Sequence, residues 1–276
     1  MKFYIENRYR ARGTNEDFVY QLPRGVEIPD SKAYIDCVLV PNTVYSVKTG
    51  VNDRLYVREA LISSPGGAEV VTYRIAVLPP GQYNGVTLAS SVQSSLNLNT
   101  TIPTYAVSFE LELGKLKVST SAANGSYFII YGDVGFVGHW NVIAPPSLHI
   151  SGEHKSANKV CGFQSLAELT GNANTPLIGS DLVDLQRHHV MYVHSDLGSP
   201  DDSFGPKGES GIIRRVIVDA PQNGLAIDRH TTAHDCVEVA SQPLRSMRFS
   251  LRGSDGSLVD LHGHHWSFSL IFHEKL

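Results

Sequence analysis

The chain has 276 residues, 18% of them charged, and a formal net charge of −4 at pH 7. A weakly acidic chain presents no basic surface to neutralise a phosphate backbone, so direct nucleic-acid binding is not expected. No run of the sequence approaches the roughly 18 apolar residues that a membrane-spanning helix needs. The polar start MKFYIENRYR does not predict a signal peptide, so we expect no secretory route.

Residues 1–30 predict an extended N-terminal arm. The segment 18–22 reads FVYQL, and Pro23 and Pro29 follow closely. Proline cannot donate to a strand ladder, so these two residues restrict the segment to an extended or edge position. We therefore expect an arm that lies against another surface.

Alternating apolar residues predict a series of strands before residue 80. Residues 33–47 predict two strands separated by a break at Pro41. Residues 55–62 and 70–78 predict two more. The Ser, Pro and Gly residues at 63–67 predict the loop that joins them.

The middle of the chain predicts a helix and a hairpin, followed by an irregular stretch. Leu88, Val92 and Leu96 are four residues apart in a polar background, which predicts a short amphipathic helix. Alternation through 105–113, resumed after Gly114, predicts a β-hairpin whose turn begins with that glycine. Residues 132–181 are rich in Gly, Asn, Ser and Pro and predict loops, with one weak helical turn at 159–169.

The C-terminal part predicts the clearest strands. Residues 190–193 and 212–218 predict two strands joined by the long loop 195–211. Residues 246–252 predict a third, and a glycine-rich turn leads to the last strand. One face of that strand carries large apolar side chains: Trp266, Phe268, Leu270 and Phe272. These patterns together predict an all-β, antiparallel sandwich or barrel.

Twelve histidines are the unusual supply of reactive groups. The densest set is His262, His264 and His265. Two further pairs lie close together in the sequence: His188 with His189, and His230 with His234. On a strand, His262 and His264 would share a face and could bind zinc or iron. A cupin-like enzyme also needs an acid four residues later, where this chain has Phe268. We therefore predict no metal site, and polar loop or strand-end positions for these histidines.

No other pattern predicts catalysis or a bound cofactor. The chain has no Gly-x-Ser-x-Gly nucleophile elbow and no phosphate loop ending in Lys-Ser/Thr. Asp201 and Asp202 could coordinate Ca²⁺ through oxygen ligands, but adjacent aspartates are more typical of a solvated turn. The odd number and wide spacing of Cys37, Cys161 and Cys236 predict reduced thiols from an intracellular site of synthesis. We expect no catalytic, cofactor-binding or metal-ligating residue.

Aromatic residues in the glycine-rich segments allow two interpretations. They could line a glycan or partner surface, because aromatic rings give contact area at low entropic cost. They could equally be core or loop-anchor residues, which we favour. The residues concerned are Tyr127, Phe128, Phe136, Trp140 and Phe204.

Motifs at both ends and in the middle carry a family resemblance. They are YIENRYR (4–10), DFVYQL (17–22), VPNTVY (40–45), PGQYN (80–84), the hairpin 105–119, the strand 247–251, VDLHG (259–263) and WSFSL (266–270). In these segments the chain resembles the penton-type minor capsid proteins of Polinton/Maverick elements, adintoviruses, virophages and related double-stranded DNA viruses. Residues 132–181 match nothing in that family.

The resemblance implies a single jelly roll formed by residues 1–80 and 182–276, with residues 81–181 as an insertion domain that holds the helix and hairpin. It also implies a non-enzymatic virion protein, synthesised in the host cytoplasm or nucleus. Such a subunit forms pentamers at icosahedral vertices and contacts trimers of the major capsid protein. Two alternatives remain open: a jelly-roll module that binds a glycan or host receptor, and a cupin-like metalloenzyme with stoichiometric metal.

Overall fold

The computed structural model describes residues 1–134, 136–152, 155–199, 203–229 and 236–274. The strands are β1 (Lys2–Glu6), β2 (Arg12–Gly13), β3 (Asp17–Ile28), β4 (Ser31–Pro41), β5 (Arg54–Ile62), β6 (Glu69–Val77), β7 (Tyr105–Glu110), β8 (Lys115–Thr120), β9 (Tyr127–Tyr131), β10 (Glu168–Asn172), β11 (Leu177–Ile178), β12 (Val190–Ser195), β13 (Ile212–Ile217), β14 (Leu225–Asp228), β15 (Val237–Val239), β16 (Gln242–Gly253) and β17 (Ser267–Glu274). The helices are α1 (Gly85–Asn97), α2 (Phe136–Ile143) and α3 (Asn158–Cys161), with 3₁₀ turns at Asn7–Tyr9 and Pro146–Leu148. The all-β, antiparallel prediction is confirmed.

The chain divides into two compact units, each with its own apolar core. Unit 1 comprises Met1–Val44 and His188–Leu276, and unit 2 comprises Tyr45–Arg187. These boundaries differ from the expected ones at residues 80 and 182. The reason is that β5 and β6 pair with each other, and β5 pairs with β9, all inside unit 2.

Unit 1 is a jelly-roll-like sandwich of two antiparallel sheets. Sheet 1 has the order β1-β17-β4-β14, with β15 also paired to β4; sheet 2 has the order β13-β12-β16-β3-β2. Inward side chains of both sheets meet in one core, where the Phe249 and Phe268 rings are 4.8 Å apart between centroids. Trp266 stacks on Phe268 at 5.2 Å and contacts Phe18 edge-on at 5.6 Å. Each such side chain contributes roughly 1.5–3 kcal/mol when fully buried.

The N-terminal residues are part of this sandwich instead of forming a separate arm. β1 pairs with β17, and β3 pairs with β16 along most of its length. Pro23 lies where that second pairing changes register, between the pairs Gln21–Ser246 and Val26–Leu244. Its missing N–H therefore removes no ladder hydrogen bond, which explains how a long strand tolerates it.

The two C-terminal strands lie in different sheets. β16 runs between β12 and β3 in sheet 2, whereas β17 runs between β1 and β4 in sheet 1. The expected apolar face of the last strand is buried throughout, with Trp266, Phe268, Leu270 and Phe272 each at most 3% exposed.

Unit 2 contains the expected helix-and-hairpin module. The predicted apolar stripe of α1 is buried, and Asn84 caps its first turn by accepting from the Thr87 backbone N–H at 2.8 Å. The hairpin turn is longer than predicted: β7 ends at Glu110, and Leu111 and Leu113 lie in the turn, 83% and 50% exposed. Turn geometry here outweighs the alternation, since Gly114 takes the left-handed conformation at φ 64° and donates to the Glu110 carbonyl.

Two sheets complete unit 2, which also contains helices and a strand that were not predicted from the sequence. Sheet 3 has the order β10-β9-β5-β6, and sheet 4 has the order β11-β8-β7. Residues 132–181 were predicted as loops but include α2, α3 and β10; the weak turn at 159–169 corresponds only to α3. Conversely, the second strand predicted within 33–47 is absent, and Val47 forms only a bridge with Gly81.

Candidate interaction surfaces

The three histidines of the densest set lie in the irregular segment before β17. His262 lies in a turn with φ 52°, followed by Gly263 at φ 81°, so His262 and His264 do not share a strand face. The Nδ1 atom of His264 faces the Leu261 carbonyl at 3.1 Å, and the Nδ1 atom of His265 faces Asn7 Oδ1 at 3.1 Å. Within the described ranges, no group of three or more His, Cys, Asp or Glu side chains could hold a metal ion.

The other candidate ligands are scattered or lie beyond the described residues. His188 is buried against Gly253, where a Cβ atom would come within 2.4 Å of the imidazole ring. Its neighbour His189 contributes its carbonyl to the Val218 N–H at 2.9 Å. Asp201 and Asp202, for which a solvated turn was favoured over a calcium site, lie outside the described residues, as do His230 and His234.

Four of the five candidate aromatic residues belong to unit 2 and pack within it. Phe136 and Trp140 of α2 cover one face of sheet 3, where Tyr56 lies 4.5 and 5.2 Å from their ring centroids. Phe128 is buried on the opposite face of that sheet, and Tyr127 packs at its margin. The core interpretation therefore holds for these residues. The thiol of Cys161 is also buried there, and burial raises its pKa, so it is no reactive thiolate.

The fifth aromatic residue, Phe204, is exposed on a small ordered hairpin. It forms a bridge with Ser210 in the loop between β12 and β13 and is 67% exposed. The Ser203 hydroxyl donates to the Ile212 carbonyl and accepts from its N–H, both at 2.8 Å. Gly205 donates its N–H to the Glu209 carbonyl at 2.6 Å. These bonds fix the backbone that presents the ring.

A polar pocket of about 300 Å³ lies beside this hairpin on unit 1. Arg248 lines it and forms a two-point ion pair with Asp17, at 2.8 and 2.6 Å, which holds the pKa of Asp17 below its usual value. Burial lowers the pKa of His194, so this imidazole is neutral at pH 7, and its Nδ1 donates to the Ser210 carbonyl at 3.0 Å. Of the two arginines that line the pocket, Arg248 and Arg252, the first is therefore already paired with a carboxylate.

A second cleft, of about 390 Å³, lies on the outer face of sheet 1. Its floor follows β17, where the small residues Ser267 and Ser269 face outward. Tyr4 lies opposite Ser269 on one side, and Leu39 lies opposite Ser267 on the other. Tall side chains on both neighbouring strands and short ones between them create the groove. The serines that alternate with the apolar residues of β17 are visible in the sequence, but the strand order that places Tyr4 beside them is not.

Neither a protein-family model nor a curated protein sequence matches the chain. The structure is similar to the crystal structure of the mavirus penton protein, with a TM-score of 0.57 at 10% sequence identity, over 100% of both chains. The chain shares the fold of a penton protein. This confirms, at the level of fold, the resemblance in the terminal and central motifs.

A second similar structure is the cryo-EM structure of the Sputnik virophage. It matches at a TM-score of 0.48 and 11% identity, over 100% of this chain and 98% of that one.

No helix among the described residues is both long and apolar enough to span a bilayer.

Proposed function

We propose that this protein is a penton subunit: a structural protein of a double-stranded DNA virus that forms pentamers at the icosahedral vertices and lies in the virion. The observation that carries the proposal is the full-length fold likeness to the mavirus penton protein, at a TM-score of 0.57. The terminal motifs of the sequence point to the same class. We also propose that the subunit contacts trimers of the major capsid protein.

The architecture of unit 1 is suited to this role. A five-membered ring needs one surface on each subunit that fits a different surface on the next, and both surfaces must be held rigidly for the ring to close. Unit 1 offers two sheets that share one apolar core, with exposed side chains on their outer faces. No step of the proposed function requires a catalytic group or a bound cofactor.

The test is the absolute mass of the purified protein, measured by light scattering behind a sizing column over a range of concentrations. Five chains of 30.2 kDa each are the expected particle. A stable trimer would contradict the proposal. If the protein alone is monomeric, it is co-expressed with the major capsid protein of its virus, and electron microscopy of the capsids must then show this chain at the five-fold vertices. Capsids that assemble with this chain absent from the vertices would refute the assignment.

A further inference from the structure

The cleft on sheet 1 is shaped for an apolar side chain. Tyr4 on its wall is 76% exposed, and Tyr9, which follows β1, also lines it with its ring largely in solvent. The thiol of Cys37 lies at its edge, opposite Ser269. An enclosed apolar cavity of about 150 Å³ can hold benzene, so about 390 Å³ accommodates a phenyl ring with its flanking backbone.

Unit 1 also presents a side chain that such a cleft could hold. Phe204 projects from the hydrogen-bonded hairpin between β12 and β13 and is largely exposed. An aromatic ring on a fixed backbone loses little conformational entropy on binding, and such rings are the commonest anchors of protein interfaces. Because Phe204 is exposed, it does not occupy the cleft of its own chain.

We propose that Phe204 of one copy inserts into the Tyr4–Leu39 cleft of the next copy and so forms the subunit contact of the ring. This inference rests on the proposed function, because it takes the occupant of the cleft to be a second penton subunit. The contact joins two different surfaces of the same unit. It is therefore heterologous, which is the type of interface that can close a five-fold ring.

The charges around the two surfaces are complementary. Residues 1–12, which form one wall of the cleft, carry Lys2, Arg8, Arg10 and Arg12 against a single acid, Glu6, which lines the cleft and pairs with Arg8 at 3.1 Å. The hairpin side is acidic, with Asp196 exposed and Glu209 at the hairpin itself. Lys207 is the cation among the described residues of that loop. Opposite charges around an apolar anchor steer encounter and disfavour contacts between two identical surfaces.

A cysteine cross-link tests this contact directly, because Cys37 already lies at the edge of the cleft. The full-length chain carries Phe204→Cys in a Cys236→Ser background and is oxidised with diamide at protein concentrations where it self-associates. A disulfide requires Cα atoms within roughly 7 Å, so only apposition of the hairpin and the cleft gives a bond. The expected result is a ladder of covalent species up to five chains on a non-reducing gel. Adding Cys37→Ser should abolish it.

The same preparation separates the two proposals. Phe204→Ala is expected to weaken self-association by about 30-fold or more, the size typical of an anchor residue, whereas Leu111→Ala, at a more exposed leucine in unit 2, leaves it unchanged. A wild-type pentamer with no cross-link, and with Phe204→Ala equally pentameric, would overturn this inference and leave the proposed function standing. Covalent dimers alone would also overturn it, since they indicate an isologous pair. A wild-type protein that stays monomeric at every concentration refutes the inference as well; the proposed function is then judged from assembled capsids.

Discussion

Arg74 and Glu59 form an ion pair in the interior of unit 2, with the Nε atom of Arg74 2.7 Å from Oε1 of Glu59. The same oxygen accepts from the Thr100 hydroxyl at 2.9 Å and the Tyr105 hydroxyl at 2.8 Å. The other oxygen accepts from the backbone N–H and the hydroxyl of Thr101, at 2.8 and 2.7 Å. A buried carboxylate is tolerated because these donors satisfy it.

This network joins three parts of unit 2. Glu59 lies on β5 and Arg74 on β6, and the guanidinium of Arg74 also donates to the Leu96 and Leu98 carbonyls at the end of α1. A cation at a helix C-terminus is favourable because it satisfies carbonyls that lack partners within the helix. The network therefore attaches the helix to the sheet through one charged pair.

Replacing Glu59 by alanine should strongly destabilise unit 2. The change leaves the Arg74 charge and several hydroxyl donors buried without their acceptor, which typically costs about 3–5 kcal/mol. The free energy of unfolding in urea measures it. Glu69→Gln is the matched control, because that carboxylate receives Arg58 at 2.8 Å in a far more exposed position; such pairs contribute at most about 1 kcal/mol. Equal losses for the two variants would contradict the role assigned to Glu59.

The same carboxylate should make stability depend on pH. Burial acts to raise the pKa of Glu59, but hydrogen bonds from Arg74 and Thr101 outweigh it and hold the pKa below its usual value. A lowered folded-state pKa stabilises the protein above the unfolded value, about 4.3 for glutamate, and this contribution is lost as the pH falls through the folded pKa. The stability difference between wild type and Glu59→Gln should thus shrink between pH 5 and pH 3. A difference that stays constant over this range would exclude the mechanism.

The sequence predicted those elements whose own periodicity matches their burial. The stripe of α1 and the alternation of β17 both face a single core, so local pattern and tertiary environment agree. α2 was missed because it is short and its sequence FVGHWNVI is apolar on most sides; its helix is stabilised by packing of Trp140 on Tyr56. The order of strands in the sheets was also beyond prediction, since it depends on contacts far apart in the chain.

The interaction surfaces were predictable only in part. Phe204 could be identified as a candidate contact residue because it lies in a long polar loop. The cleft could not, since it requires β1 and β4 to flank β17, and β17 is separated from both of them by more than two hundred residues in the sequence. His262, His264 and His265 lie in the irregular segment before β17, where polar loop or strand-end positions were predicted.

Removal of β17 should prevent unit 1 from folding. This strand lies between β1 and β4, so a chain ending at Gly263 would lose the centre of sheet 1 and the rings of Trp266 and Phe268. The expected product is insoluble or unfolded by circular dichroism. Phe268→Ala in the full chain is the finer test, with a loss of about 3–5 kcal/mol in urea unfolding; Ser267→Ala, on the outer face of the same strand, should change it little. A soluble fragment ending at Gly263 that melts cooperatively would refute this prediction.

Metal removal should leave the protein unchanged. The imidazoles of His264 and His265 each face a local oxygen, from Leu261 and Asn7, so they do not converge on one point. We expect less than one equivalent of zinc or iron by elemental analysis of untagged protein, and the same melting temperature with and without EDTA. The double variant His262→Ala, His264→Ala should melt within a few degrees of wild type. Stoichiometric metal that is lost in this variant would revive the metalloenzyme alternative.

Unit 2 should fold when expressed alone. It is one continuous segment, Tyr45–Arg187, and its sheets and helices enclose a core formed by residues of that segment. The buried network of Glu59 and Arg74 lies wholly inside it. The fragment is therefore expected to be soluble and to unfold cooperatively in urea. Glu59→Ala should lower the stability of the fragment by the same amount as in the full chain, because all the partners of Glu59 are retained. A fragment that is unfolded, or in which this substitution has no effect, would show that the unit depends on the rest of the chain.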